Sequence, residues 1–165
     1  MPGRALVLVT ALALAFELSV AVPDAGAQVE EVKVTVEGMT CNLCAAGLER
    51  ALRRVDGVAA VKVVLSSQTA TIRLKPGATV APAHLRAAVD STGQILRVIE
   101  LRLRGALQRD GARYQLRPAG HAQAFAVRDA AKLGTLAGRR VRLRGRVVSS
   151  DAADVELELT GVEPS

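Results

Sequence analysis

From Val29 to Ile99 the spacing of apolar residues switches between the period of a strand and that of a helix, and this order leaves few folds open. Val32, Val34 and Val36 alternate with Lys33, Thr35 and Glu37, which predicts a half-buried strand. Gly38 to Leu43 reads as a loop, after which Cys44, Leu48, Leu52 and Val55 recur at helical spacing. Asp56-Gly57 stops that helix. A second strand runs from Val58 to Leu65, with Val61, Val63 and Leu65 on one face. Ser66-Ser67-Gln68 turns the chain into a third strand, Thr69 to Leu74. Pro82 suits the first turn of a second helix, which carries Leu85, Ala88 and Val89 and ends at Gly93. Ile95 to Ile99 begins a fourth strand. The order β-α-β-β-α-β, joined by right-handed crossovers, predicts an α+β, ferredoxin-like domain over residues 28–99, with two helices on one face of an antiparallel sheet.

Residues 100–165 read differently. Asp110-Gly111 is a hairpin turn between Leu101–Arg109 and Ala112–Leu116. Ala122 to Val127 is a further strand, Asp129 caps a short helical stretch from Ala130 to Leu136, and Arg139–Ser149 and Val155–Val162 close the series. Five strands with a helix between the third and fourth predict a small all-β domain of the OB type. A sandwich fragment or an extension of the first sheet is the alternative. No Pro- or Ser-rich linker separates the blocks near Ile99 to Gly105, so they are expected to pack closely.

Ahead of both blocks, Met1 to Arg4 is a short positive start and Ala5 to Phe16 is an apolar run too short to span a bilayer. Ala25-Gly26-Ala27 is a small-x-small pattern. Residues 1–27 therefore read as a secretory signal peptide cleaved before Gln28, which predicts a periplasmic or secreted protein with no stable membrane insertion afterwards. An uncleaved anchor reaching Val22 is the rival reading, and Glu17 opposes it. The chain carries a net charge of +6. Removing Arg4, Glu17 and Asp24 with the signal raises this to +7. Such a balance suits acidic partners in general. Tyr114 and Phe125 are the only aromatics beyond the signal, too few for base stacking, so no nucleic-acid partner is expected.

The two cysteines carry the chemistry. They lie in Gly38-Met39-Thr40-Cys41-Asn42-Leu43-Cys44, a loop running into the first helix. Two ligands cannot complete a structural zinc site, which takes four. At this spacing, however, both sulfurs can turn to one point where backbone N–H groups and the helix dipole stabilise negative charge. That setting favours thiolate, and thiolates select soft ions. A dithiolate suits ions content with two ligands, Cu(I) and Hg(II) among them, and an exposed one admits a third thiolate, so that metal passes by ligand exchange. Met39, apolar and just beyond a strand, is read as packing under the loop rather than as a ligand.

Residues 31–99 resemble the heavy-metal-associated domain family, found in copper chaperones, in the metal-binding repeats of copper-pumping ATPases and in the periplasmic mercury-scavenging protein. Gly38-Met39-Thr40-Cys41-x-x-Cys44 carries the resemblance, continued by Leu48, Glu49, Ala51 and Leu52 in the helix and by Val55, Gly57 and Val58 at its exit. The resemblance implies that Cys41 and Cys44 are the metal ligands and that Cu(I), or second Hg(II), is the cargo. It also implies a metal-transporting or metal-accepting protein as partner. The family usually places an aromatic or a lysine in the loop after the second helix, whereas this chain has Ser91-Thr92-Gly93-Gln94-Ile95, with Gln94 near that place. Metal preference and affinity are the properties this departure touches.

Two rival classes stay open. The same CxxC could serve thiol–disulfide exchange, although Thr40 replaces the aromatic usual before a redox pair and Asn42-Leu43 replaces Gly-Pro. Alternatively, the cysteines are a plain disulfide and the chain is an adaptor acting through its β domain. Arg140, Arg142, Arg144 and Arg146 line one side of a strand, which reads either as an anion or nucleic-acid groove or, as favoured here, as a solvated face that Glu156 and Glu158 can pair with across the ladder. His84 and His121 are isolated. No nucleophile–base pair, phosphate loop or carboxylate pair stands out, so no enzyme is expected.

Overall fold

The computed structural model describes residues 29–118, 123–128, 133–150 and 155–164. The signal segment, His121, and the Asp129 cap with the start of its helix lie outside the described residues. The elements follow the order β1 (Val29–Glu37), α1 (Asn42–Arg53), β2 (Val58–Val64), β3 (Thr69–Leu74), α2 (Pro82–Asp90) and β4 (Ile95–Asp110). Then come β5 (Arg113–Arg117), β6 (Phe125–Val127), β7 (Arg140–Ser150) and β8 (Val155–Pro164), with a 3₁₀ turn at Gly134–Leu136 between β6 and β7.

β2, β3, β1 and β4 lie side by side in that order, each pair antiparallel. The alternating valines of β1 explain its central place. Val32, Val34 and Val36 are essentially without solvent contact and meet Leu48 and Leu52 of α1 and Leu85 and Val89 of α2 in one core. Pro82 sits at the start of α2, where its missing N–H has no helical partner to lose. Gly57 and Gly93, at the ends of the two helical segments, take φ of +83° and +72°, which side chains other than glycine rarely adopt. The β-α-β-β-α-β arrangement expected from the sequence is present.

The division expected between residues 99 and 100 is not a break. β4 runs without interruption through it, and its 16 residues serve both halves of the molecule. Ile99, Leu101, Leu103, Gly105 and Leu107 all face inward, so a single alternation continues from the helix-covered sheet into the second block. No turn residue interrupts it before Asp110. The hairpin then turns on Gly111-Ala112, one residue later than expected, because Asp110 pairs with Arg113.

Beyond Leu103 the strands form a closed ring. β4 pairs with β5, β5 with β6, β6 with β8, β8 with β7, and β7 returns to β4. All these ladders are antiparallel except β6 with β8. Phe125, Leu116, Leu107, Leu143, Leu157 and Leu133 fill the ring. Gly105 and Gly145 let the walls meet. A Cβ on Gly105 would lie 3.0 Å from the Arg117 carbonyl, and one on Gly145 3.0 Å from Leu157 Cβ. Gln123 fastens the ring to the first block: its amide accepts from Val80 N–H and donates to Val80 C=O, both at 2.9 Å.

Candidate metal centre

β1 delivers the chain to the site and α1 begins there. Gly38, with φ of +94°, turns the backbone after the strand. Met39 then drops into the core, 1% exposed, the packing role expected of it. Cys41 is extended and caps α1: its Sγ accepts from the Cys44 N–H at 3.1 Å, and the Ala45 N–H reaches its carbonyl at 3.0 Å. Cys44 follows in the first turn. The helix end thus aims donors at the very place where the sulfurs converge. The Cα atoms stand 5.1 Å apart and the two sulfurs are joined as a disulfide. The pair opens to solvent: Cys41 is exposed, Cys44 half-buried, and Leu43 between them 76% exposed.

A cleft of about 320 Å³ lies over the cysteines, bounded also by Leu43, Thr92, Gln94, Gly38, Gly47 and Gly93. None of these side chains is charged. Gln94 is the residue whose role the sequence only partly disclosed. It is 4% exposed, its Nε2 donates to the Cys44 carbonyl at 3.2 Å, and its Oε1 is buried with no partner. The amide orientation is dictated chemically, because a carbonyl only accepts and so must face the NH2 group. Its position, one residue past a glycine ending α2, was the available signal; the burial was not visible in the sequence.

Among the described residues no group of three His, Cys, Asp or Glu side chains comes together. The site brings together two sulfurs, those of Cys41 and Cys44. His84 lies exposed on α2. The arginine row on β7 is largely paired. Arg142 meets Glu30 at 3.3 Å, Arg144 meets Glu163 at 3.3 Å and Arg146 meets Glu158 at 3.9 Å. Glu156 pairs instead with Arg128 at 2.8 Å. That hydrogen bond, aided by the charges of Arg128 and Arg113, holds the Glu156 carboxyl below the usual glutamate range.

The paired cysteines thus stand where the first strand meets the first helix of a ferredoxin-like fold. Residues 33–94 match the heavy-metal-associated domain model. Copper-transporting ATPase 2 of Homo sapiens is 43% identical over 67 residues, which are 41% of this chain and 4% of that protein. Copper-transporting ATPase 1 of Rhizobium meliloti (strain 1021) is 42% identical over 62 residues, 38% of this chain and 7% of that protein. Among solved structures, oxidized MerP from Ralstonia metallidurans CH34 is 27% identical, with 43% of this chain and 94% of that one covered at a TM-score of 0.38. The chain thus spans only a small fraction of the ATPases it matches.

Proposed function

We propose that this is an exported, periplasmic or secreted protein that carries or sequesters one soft metal ion between the thiolates of Cys41 and Cys44. Cu(I) is the first choice and Hg(II) the second. The ion is cargo, handed to a metal-transporting or metal-accepting protein. The observation that carries this reading is the convergence of two sulfurs, one exposed and one half-buried, on a helix N-terminus, with the Cys44 N–H already directed at Cys41 Sγ. Two soft ligands, with no group of three His, Cys, Asp or Glu side chains among the described residues, suit an ion satisfied by linear coordination. The copper-transporting names of the relatives support Cu(I). The ring of β4 to β8 is read as an OB-type barrel, on its strand order and its one parallel pair, and it either docks the partner or simply extends the fold.

Loading requires the disulfide to be reduced by an external dithiol, which supplies two electrons and two protons, becomes a disulfide itself and leaves two thiols here. Metal then displaces the thiol protons. Transfer proceeds by attack of an incoming thiolate on the bound ion, with each protein sulfur released in turn. The test is an anaerobic titration of the reduced protein with Cu(I), Ag(I), Hg(II) and Zn(II) side by side. One tight equivalent of Cu(I) or Hg(II), lost in Cys41→Ser and in Cys44→Ser, is expected. Uptake unchanged in the double variant sinks the proposal. The disulfide also favours a second reading, a thiol–disulfide exchange protein. Turnover of a model disulfide without metal uptake would favour that instead.

A further inference from the structure

β4 passes between β1 and β7, so its outward side chains stand in register with charged residues on both neighbours. Arg104 lies directly opposite Arg142, and Arg102 directly opposite Arg144. Like charges in facing positions repel across a ladder. At the first pair the chain supplies its own counterion. Glu30 of β1 reaches both guanidiniums, 2.9 Å from Arg104 Nη2 and 3.3 Å from Arg142 Nε. The second pair, one step along the same face, has no such bridge among the described residues. Arg144 turns toward exposed Glu163 at 3.3 Å. Arg102 forms no ion pair within 4.0 Å among the described residues, whereas Arg104 has Glu30; the Arg102 Nε, like that of Arg104, is buried without an acceptor.

In front of this second pair the structure opens a cleft of about 370 Å³, lined by Arg102, Arg144, Lys33, Thr160, Glu31 and Glu100. Glu31 faces Arg102 in the β1 register and Glu100 faces Lys33, yet neither carboxylate comes within ion-pairing distance of the cations. Three cations outnumber two acids there. We infer that the Arg102–Arg144 cleft binds an external carboxylate, in the place that Glu30 occupies at the neighbouring arginine pair. The two guanidiniums present forked, planar donors that match a carboxylate's two oxygens, and Lys33 and Thr160 add an ammonium and a hydroxyl. The ligand is either a free small organic acid or an acidic side chain of a partner protein. The site lies on the sheet face opposite α1 and α2, so its occupation leaves the dithiol open. It stands independently of the metal-carrying role.

The full chain, labelled with ¹⁵N, is titrated with succinate, with an acidic tri-glutamate peptide and with inorganic phosphate, following the arginine Nε–H signals by NMR. The Arg102 Nε–H signal is expected to move saturably with succinate. Arg102→Gln and Arg144→Gln are each expected to weaken binding about tenfold or more by removing one fork. Arg109→Gln, at the exposed end of β4, leaves it unchanged. A peptide that binds about tenfold tighter than succinate identifies an acidic partner segment, while equal affinities identify a free small acid. Shifts that never saturate, binding retained in both arginine variants, or phosphate bound as tightly as succinate would each overturn the assignment. Thermal unfolding of both variants confirms that they are folded, and either folded variant alone suffices for the comparison.

Discussion

Replacing Gln94 by methionine should make the protein more stable, although Gln94 is buried and hydrogen-bonded. The side chain makes one hydrogen bond, Nε2 to the Cys44 carbonyl at 3.2 Å, and leaves Oε1 buried without a donor. A hydrogen bond of this kind contributes roughly 0.5–1.5 kcal/mol net, whereas a buried, unpaired polar atom costs roughly 1–3 kcal/mol. The Cys44 carbonyl sits in the first turn of α1 and keeps a helical acceptor role after the substitution. Methionine preserves the unbranched shape and fills the space with apolar atoms. The balance favours Gln94→Met by about 1 kcal/mol, a rise in Tm of about 2–4 °C for a chain of this size. Urea and thermal denaturation of the oxidised protein, followed by circular dichroism, measure it. A loss of 1 kcal/mol or more would refute the reasoning, because it would mean that Oε1 has a partner in solution and that the amide is held for stability. The predicted sign instead implies that Gln94 is retained for the cysteine site.

Other substitutions test the frame around the site. Leu48→Ala removes a fully buried side chain of α1 and should cost about 2–5 kcal/mol, read by denaturant titration. Gly145→Ala places a Cβ 3.0 Å from Leu157 Cβ and 3.2 Å from the Glu158 carbonyl, and overpacking of this kind should destabilise by about 1–3 kcal/mol. Gln123→Ala unpairs the N–H and C=O of Val80, which is 4% exposed, and should speed amide hydrogen exchange at Val80 more than at Leu85. Glu156 has a folded pKa below its ordinary value, so its pairing with Arg128 stabilises above the usual glutamate pKa, about 4.3, and fades as pH falls through the lowered value. Stability curves of wild type and Glu156→Gln should therefore converge in acid and separate toward neutral pH.

The local patterns carried most of the first block. Val32, Val34, Val36, Leu48, Leu52, Leu85 and Val89 were readable as core because burial follows period, and each element ended on a residue with a backbone reason to end it. The dithiol was equally readable, since its spacing and its place at a helix start are both written in the chain. Other features were not. The continuity of β4 depends on strands that pair with it from distant parts of the sequence, and no local signal reports which neighbours a strand will gain. Glu30 bridging Arg104 and Arg142 joins residues more than seventy positions apart. The clamp from Gln123 to Val80 and the burial of Gln94 likewise arise only when loops meet. The arginine row on β7 was readable as a face, but not that its Arg144 would stand opposite Arg102.

A strand common to both halves removes the hinge. Ile95 of β4 sits beside Glu37 at the cysteine end, and Leu103 beside Val29 where the ring begins, eight residues or about 26 Å away. Because those two points belong to one hydrogen-bonded ribbon, the sulfurs are presented at a fixed reach and bearing from whatever surface the ring grips. On the proposed carrying role, a partner docked on the ring would meet the sulfurs through a calliper of set length, and its own accepting thiols would have to be placed to match.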